Sequence, residues 1–130
     1  MGGRTSELMR TPEAPRTARR IVAEVLRDHG CSGDDVDIAQ LLVSELVSNA
    51  VRHAADSDHV TLTIQHEADL VVAVADGDPR RPVLLHPDDE ALGGRGVELV
   101  DALASSWGVT PVLDGDGSPV GKVVWFRLPC

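Results

Sequence analysis

Apolar residues follow a helical pattern in the first part of the chain. In one stretch they stand at positions i, i+3, i+4, i+7 and i+8, namely Ala18, Ile21, Val22, Val25 and Leu26. This spacing is typical of the buried face of an amphipathic helix. Gly30 follows at a position where such a helix commonly ends. The pattern predicts a first helix over about residues 16–29.

A second helical stretch begins shortly after this glycine. Ser32 is followed three residues later by Asp35, which is the spacing of a capping box at the start of a helix. Apolar residues then recur at helical spacing as far as Ala55. The sequence therefore predicts a second helix from Ser32 to about Ala55.

Four later stretches are typical of β-strands. Val60–His66 alternates apolar and polar residues, and Leu70–Ala75 is apolar throughout, so these two stretches predict a hairpin. Trp107–Leu113 and Lys122–Leu128 predict a second hairpin. Asp114–Pro119, which joins them, is rich in turn-forming residues.

The remaining segments complete the predicted architecture. Residues 76–93 contain several prolines and an acidic cluster and predict a long loop, after which a third helix begins near Gly94–Gly96. Residues 1–15 hold two glycines and two prolines with few apolar residues, and we expect a flexible leader there. Helices separated from hairpins predict an α+β two-layer sandwich over residues 16–130.

Composition narrows the classes of partner. The 130 residues suffice for one domain. With 12 basic and 21 acidic residues the net charge is -9, which repels nucleic acid and anionic membranes. The sequence has no apolar run long enough to span a bilayer and no secretory signal, so we expect a cytoplasmic protein without a membrane partner. We therefore expect free thiols at Cys31 and Cys130.

Polar residues form a stripe along one edge of the second predicted helix. Glu45, Asn49 and His53 stand at i, i+4 and i+8, beside the apolar face. A carboxylate and a carboxamide at that edge can serve one site, although the same spacing is also typical of an ordinary solvated boundary. No second histidine or cysteine stands at zinc-site spacing from His53, so we predict no zinc site there.

Two glycine-containing segments add candidate chemistry. Asp76 ends an apolar strand and precedes Gly77, and this arrangement suits either recognition of an amino group or a simple turn. Gly93–Gly96 opens the third helix, where bare backbone N–H groups can face a phosphate and Arg95 can add a charged contact. A glycine cluster without function fits the same residues.

In combination, these segments resemble three boxes of a known ATP-binding superfamily. Glu45–Ala54 resembles the N box of the gyrase, Hsp90, histidine-kinase and MutL superfamily, Val74–Gly77 its first glycine box, and Gly94–Val100 its second. The chain resembles in particular the bacterial anti-sigma-factor serine/threonine kinases, over about residues 16–128. This resemblance implies a histidine-kinase-like ATPase fold, with a mixed, mostly antiparallel sheet covered by about three helices.

The resemblance also implies roles for individual residues. It implies that Asn49 binds Mg²⁺ and that Glu45 is the base for a serine hydroxyl that attacks the γ-phosphate of ATP. Asp76 would accept a hydrogen bond from the adenine amine. The backbone at Gly94 and Gly96 would approach the phosphates.

Supporting positions follow from the same resemblance. His53 would line the phosphate end of the site, and Arg95 would contact the phosphates. Gly77 belongs to the first glycine box, and residues 77–93 would form a lid over the nucleotide.

The function that the resemblance implies is phosphorylation of a protein. The substrate would be a serine of an anti-anti-sigma (STAS-type) partner, and the chain would act as a homodimer that can also bind a sigma factor. A detached histidine-kinase catalytic domain is disfavoured because no pair of dimerisation helices precedes the domain.

The first glycine box departs from the family pattern. The family continues as Asp-x-Gly-x-Gly, whereas this chain continues from Asp76 as Gly77, Asp78, Pro79 and Arg80. The alternative is therefore a nucleotide-gated or catalytically inactive partner-binding module of the same fold.

Overall fold

The computed structural model describes residues 2–53, 58–77 and 96–130. Its elements, in chain order, are β1 Gly2–Met9, α1 Ala14–Asp28, α2 Gly33–His53, β2 His59–His66, β3 Asp69–Asp76, α3 Gly96–Leu103, β4 Ser106–Leu113 and β5 Pro119–Pro129. None of these described helices combines the length and the apolar character needed to cross a membrane. The two predicted long helices and the two predicted hairpins are all present.

The five strands form one sheet in the order β1-β2-β3-β5-β4. Every strand pair among the described residues is antiparallel. The β4–β5 hairpin closes on a turn in which the Asp114 carboxylate accepts hydrogen bonds from the N–H groups of Asp116 and Ser118, at 2.9 and 3.0 Å. Gly117 completes this turn with a φ of 80°.

One face of the sheet and the helices above it enclose the core. Alternate strand residues are buried on that face, namely Val60, Leu62, Ile64, Leu70, Val72, Val74, Val124, Phe126 and Leu128. The predicted apolar faces of α1 and α2 are buried with them. Each fully buried aliphatic side chain contributes about 1.5–3 kcal/mol, so this face dominates the stability of the fold. The prediction of an α+β fold is confirmed.

The ends of the first two helices are fixed by backbone chemistry. Gly30 adopts a φ of 75°, and the N–H groups of Gly30 and Cys31 donate to the carbonyls of Arg27 and Leu26. These bonds form a Schellman motif that ends α1. The Ser32 hydroxyl then accepts the N–H of Asp35 at 3.1 Å and caps the start of α2.

The expectation of a flexible leader is wrong for the first residues. Gly2–Met9 form β1, which pairs with β2 along its whole length. Arg4 also forms an ion pair with Glu24 of α1 at 3.2 Å. An edge strand gains its stability largely from backbone hydrogen bonds, and for that reason it needs little apolar alternation in its sequence.

The expectation of free thiols is also contradicted. Cys31 follows α1, Cys130 follows β5, and the two form a disulfide with their Cα atoms 5.5 Å apart. The antiparallel register explains the meeting, because Pro129 pairs with Asp69 at the start of β3, on the side where α1 ends. The two cysteines are 99 positions apart, so local sequence patterns could not predict that they meet.

Candidate functional site

The polar stripe of α2 lies where its spacing places it. Glu45 and Asn49 are half-buried, and the neighbouring Leu46, Val47 and Ala50 are buried in the core. One wall of the candidate site is therefore a rigid helix face, held from below by close packing. His53 is the last residue of α2, and its side chain lies outside the part that the structure describes.

Asn49 carries the most direct polar contact in this stripe. Arg52 Nη2 donates a hydrogen bond to Asn49 Oδ1 over 2.6 Å. An amide oxygen is a hard ligand of the kind that Mg²⁺ prefers, so the residue fits the ion chemically. A positive guanidinium and a divalent cation repel each other at one oxygen, so a cation at Asn49 Oδ1 would require Arg52 to turn away.

Asp76 is held by a lysine that the sequence reasoning did not single out. Lys122 of β5 stands opposite Asp76 in the register, and its Nζ lies 3.1 Å from Asp76 Oδ1. The side chains are 10% and 3% exposed, respectively. The ion pair fixes one carboxylate oxygen at the end of β3 and thereby sets the orientation of the Asp76 carboxylate.

The strand that supplies this lysine comes unusually close to β3. A Cβ added at Gly121 would overlap the carbonyl oxygen of Asp76 and lie 3.5 Å from Gly77 Cα. Only glycine therefore fits at position 121. A glycine inside a mostly apolar strand was the available signal, but its meaning depends on Asp76 of the partner strand, 45 positions earlier in the chain.

The carboxyl ends of α2 and β3 lie at the same end of the molecule. Arg10, which follows β1, donates from Nη1 to the carbonyl of Val51 in the last turn of α2 over 2.7 Å. Met9 pairs with His59 at the start of β2, and Thr61 pairs with Ala75 near the end of β3. Adjacent strands are about 4.8 Å apart, so Asp76 is two strands, about 10 Å, from the strand that anchors α2.

The third segment of the predicted site is described only in part. α3 begins at Gly96 and packs against α2, with Val100 buried between the layers. Gly94, Arg95 and residues 78–93 of the predicted lid lie outside the described residues. The elements that carry the three segments nevertheless touch, because α2 packs against both β3 and α3.

Comparison with protein families settles the type of domain. A family model described as the histidine kinase-like ATPase domain matches residues 8–128. The chain belongs to this family. Its membership confirms the superfamily that the three sequence boxes resemble and agrees with the antiparallel sheet under one helical layer.

Two solved structures share the fold of this histidine kinase-like ATPase domain. One contains the RsbU and RsbW domains of Rv1364c from Mycobacterium tuberculosis, with a TM-score of 0.74 and 19% identity over 99% of this chain. This chain spans 32% of that longer one. The other is the SiaB-SiaC complex from Pseudomonas aeruginosa, with a TM-score of 0.67 and 12% identity over 98% of this chain and 89% of that chain.

A comparison with proteins of curated function found no match to this chain. At identities of 19% and 12% the two structures establish the fold and leave the chemistry to the residues themselves. The amide of Asn49 and the carboxylate of Asp76, which pairs with Lys122, lie on two elements that pack together.

Proposed function

We propose that the chain binds Mg·ATP where α2, β3 and α3 meet and transfers the γ-phosphate to a serine of a STAS-type partner protein. The observation that carries the proposal is that Asn49 and Asp76 lie on contacting elements of a histidine kinase-like ATPase domain. Because α2 and β3 are both packed into the core, they hold these two groups in fixed directions. Phosphoryl transfer depends chiefly on such positioning and on charge stabilisation.

Each side chain has a separate task in this proposal. Asn49 Oδ1 would be a ligand of Mg²⁺, which would supply positive charge beside the phosphate oxygens, and Arg52 would have to turn away from that oxygen. The Asp76 carboxylate accepts a hydrogen bond from the adenine amine, and Lys122 keeps this carboxylate in position. Glu45, four residues before Asn49, accepts the proton of the attacking serine.

The proposed class of partner is supported by the two solved structures of this fold and by the sequence resemblance. One structure of this fold contains an RsbW domain, and another is a complex of SiaB with SiaC. Together with the resemblance to anti-sigma-factor kinases, these names support a small regulatory protein as the phosphate acceptor. We propose in addition that the chain acts as a homodimer and binds a sigma factor.

Calorimetric titration tests nucleotide binding. We expect saturable binding of Mg·ATP by the parent chain and loss of binding in Asn49→Ala and Asp76→Asn. Gln65→Ala, on β2 at the far end of the sheet, is the matched control and should bind as the parent does. Circular dichroism of each variant establishes that it is folded. Absence of saturable binding by the folded parent would refute the proposal.

Transfer is tested separately with γ-labelled ATP and a STAS-type protein. We expect label on a serine of the partner, and we expect Glu45→Gln to bind nucleotide normally while losing transfer by at least about 100-fold, the usual contribution of a general base. Label on a histidine would instead identify a histidine-kinase type of transfer.

A second function is favoured by one departure from the family pattern. Asp78, Pro79 and Arg80 replace the glycine pattern after Gly77. A chain with this change can act as a nucleotide-gated module that binds its partner without phosphorylating it. Nucleotide-dependent partner binding without label transfer would select this function over the kinase.

A further inference from the structure

Two cysteines and a histidine meet at the end of the sheet opposite the candidate nucleotide site. Cys31, Cys130 and His66 each offer one ligand atom, and these three atoms lie within 4.8 Å of one another. All three residues are half-buried. β3 begins at Asp69, near the cluster, and ends at Asp76, in the candidate nucleotide site. The length of this strand separates the two by about 23 Å.

The His66 ring is held in place through one of its two nitrogens. Its Nε2 lies 2.8 Å from the carbonyl oxygen of Cys130. A carbonyl oxygen only accepts, so Nε2 must carry the hydrogen, and the lone pair of the neutral ring is then on Nδ1. Metal-binding histidines are commonly fixed by this kind of bond from the other ring nitrogen.

A second imidazole lies beside the first. The ring centroids of His29 and His66 are 4.7 Å apart. His29 Nδ1 lies 2.8 Å from the carbonyl of Val25, so this ring is likewise held through one nitrogen. The lone pair of its neutral form is therefore on Nε2. Two sulfurs and imidazole nitrogens are donors that zinc takes in proteins, and His29 adjoins the cluster of the other three residues.

We infer that, when the disulfide is reduced, Cys31, Cys130 and His66 form a binding site for Zn²⁺. The fourth position of the tetrahedron is left to His29 or water. Thiolate and imidazole ligands select zinc over Mg²⁺ or Ca²⁺, which prefer oxygen. This site is separate from the proposed nucleotide site and does not depend on it.

The bridge and the metal site exclude each other because they use the same two sulfurs. A thiol or phosphine reductant supplies two electrons, and two protons complete the conversion of the S–S bond into two thiols. Each thiol then loses its proton to solvent as its sulfur binds Zn²⁺. Hydrogen peroxide, as the oxidant, accepts the two electrons together with two protons and becomes two molecules of water, while the two sulfurs re-form the S–S bond and release Zn²⁺.

The backbone already allows both states. Two sulfurs bound to one zinc ion at about 2.3 Å are roughly 3.8 Å apart in a tetrahedral site. A Cα–Cα distance of 5.5 Å accommodates that separation when the Cys side chains rotate about their Cα–Cβ bonds. Neither α1 nor β5 has to move.

Cobalt titration of the full chain tests the inference. The chain is reduced with a phosphine, freed of reductant under inert gas and titrated with Co²⁺. We expect one equivalent to bind, with a thiolate-to-cobalt charge-transfer band and the intense visible bands of tetrahedral cobalt, and we expect Zn²⁺ to displace it. The oxidised chain should show neither band.

Matched variants identify the ligands. Cys31→Ser and Cys130→Ser should each lose the charge-transfer spectrum of the parent, and the reduced parent is their control because it also lacks the bridge. His66→Gln should bind Zn²⁺ at least about tenfold more weakly than the parent. His59→Gln, at the other end of the same strand, should bind as the parent does.

X-ray absorption of the zinc-loaded parent identifies the ligands without any substitution, so its result does not depend on whether a variant folds. We expect two sulfurs at about 2.3 Å and at least one imidazole nitrogen. A shell of oxygen and nitrogen only, failure of the reduced chain to take up one equivalent of metal, or equal zinc affinities in His66→Gln and His59→Gln would each overturn the site.

Discussion

At the scale of single residues, the candidate site combines contacts that the sequence could reveal with contacts that it could not. Glu45 and Asn49 share one helix, so their common edge follows from helical geometry alone. Lys122 reaches Asp76 from 46 positions away, and only the pairing of β5 with β3 brings them together. Local spacing carries no record of such a contact.

The buried ion pair makes Lys122 a test of this end of the sheet. Lys122→Met leaves the Asp76 carboxylate withdrawn from water without its ammonium partner. We expect the free energy of unfolding in urea to fall by about 3–5 kcal/mol. Arg127→Met, which breaks the exposed pair with Asp69, is the control and should cost less than about 1 kcal/mol. Equal losses in the two variants would contradict the account of the buried pair.

Gly121 is a second residue whose identity depends on tertiary structure. In Gly121→Ala the new methyl group overlaps the Asp76 carbonyl, so β5 must shift. We expect a loss of about 1–3 kcal/mol in stability and weaker nucleotide binding. Gly115→Ala is the control, because a Cβ at position 115 meets nothing within 4 Å. Denaturation curves that coincide for the two variants would show that β5 has room at position 121.

At the scale of elements, predictability follows how each element is stabilised. The elements that bury one face, namely α1, α2 and the two hairpins, have periodic apolar residues. This periodicity predicted them from the sequence. β1 is an edge strand whose described side chains include a single buried one, Leu8, which is 6% exposed. Backbone pairing with β2 leaves no pattern of side chains to read.

Leu8 distinguishes an ordered edge strand from a flexible leader. Leu8→Ala removes a buried side chain, and we expect it to lower the free energy of unfolding by about 2–5 kcal/mol. Met9→Ala is the control, since Met9 is 67% exposed. The measurement is chemical denaturation followed by circular dichroism. If Leu8→Ala were as stable as Met9→Ala, β1 would not be docked in solution.

At the scale of the whole molecule, two chemically different ends share one sheet. Asn49 and Asp76 belong to the end proposed for nucleotide, and the two cysteines lie at the other. The sequence correctly indicated an α+β fold, whereas the pairing of Cys31 with Cys130 depends on where the completed sheet places its last strand. The length and composition of a chain do not indicate which of its cysteines the folded sheet will bring together.

Reduction of the disulfide measures what this closure contributes. Opening a loop of 99 positions frees the unfolded chain, and we expect reduction to cost about 4 kcal/mol of stability. The comparison is urea denaturation of oxidised and phosphine-reduced chain with a chelator present. Cys31→Ser should match the reduced parent. An unchanged midpoint after reduction would contradict a stabilising bridge.

The same bond gives the molecule a covalent topology of its own. The segment from Cys31 to Cys130 is a closed ring that contains α2, α3 and the strands β2 to β5, while β1 and α1 form a tail attached to it. A protease that cuts once inside the ring therefore opens it without separating the products. Such a nicked chain keeps its full mass in a non-reducing gel and divides into two fragments when reductant is added.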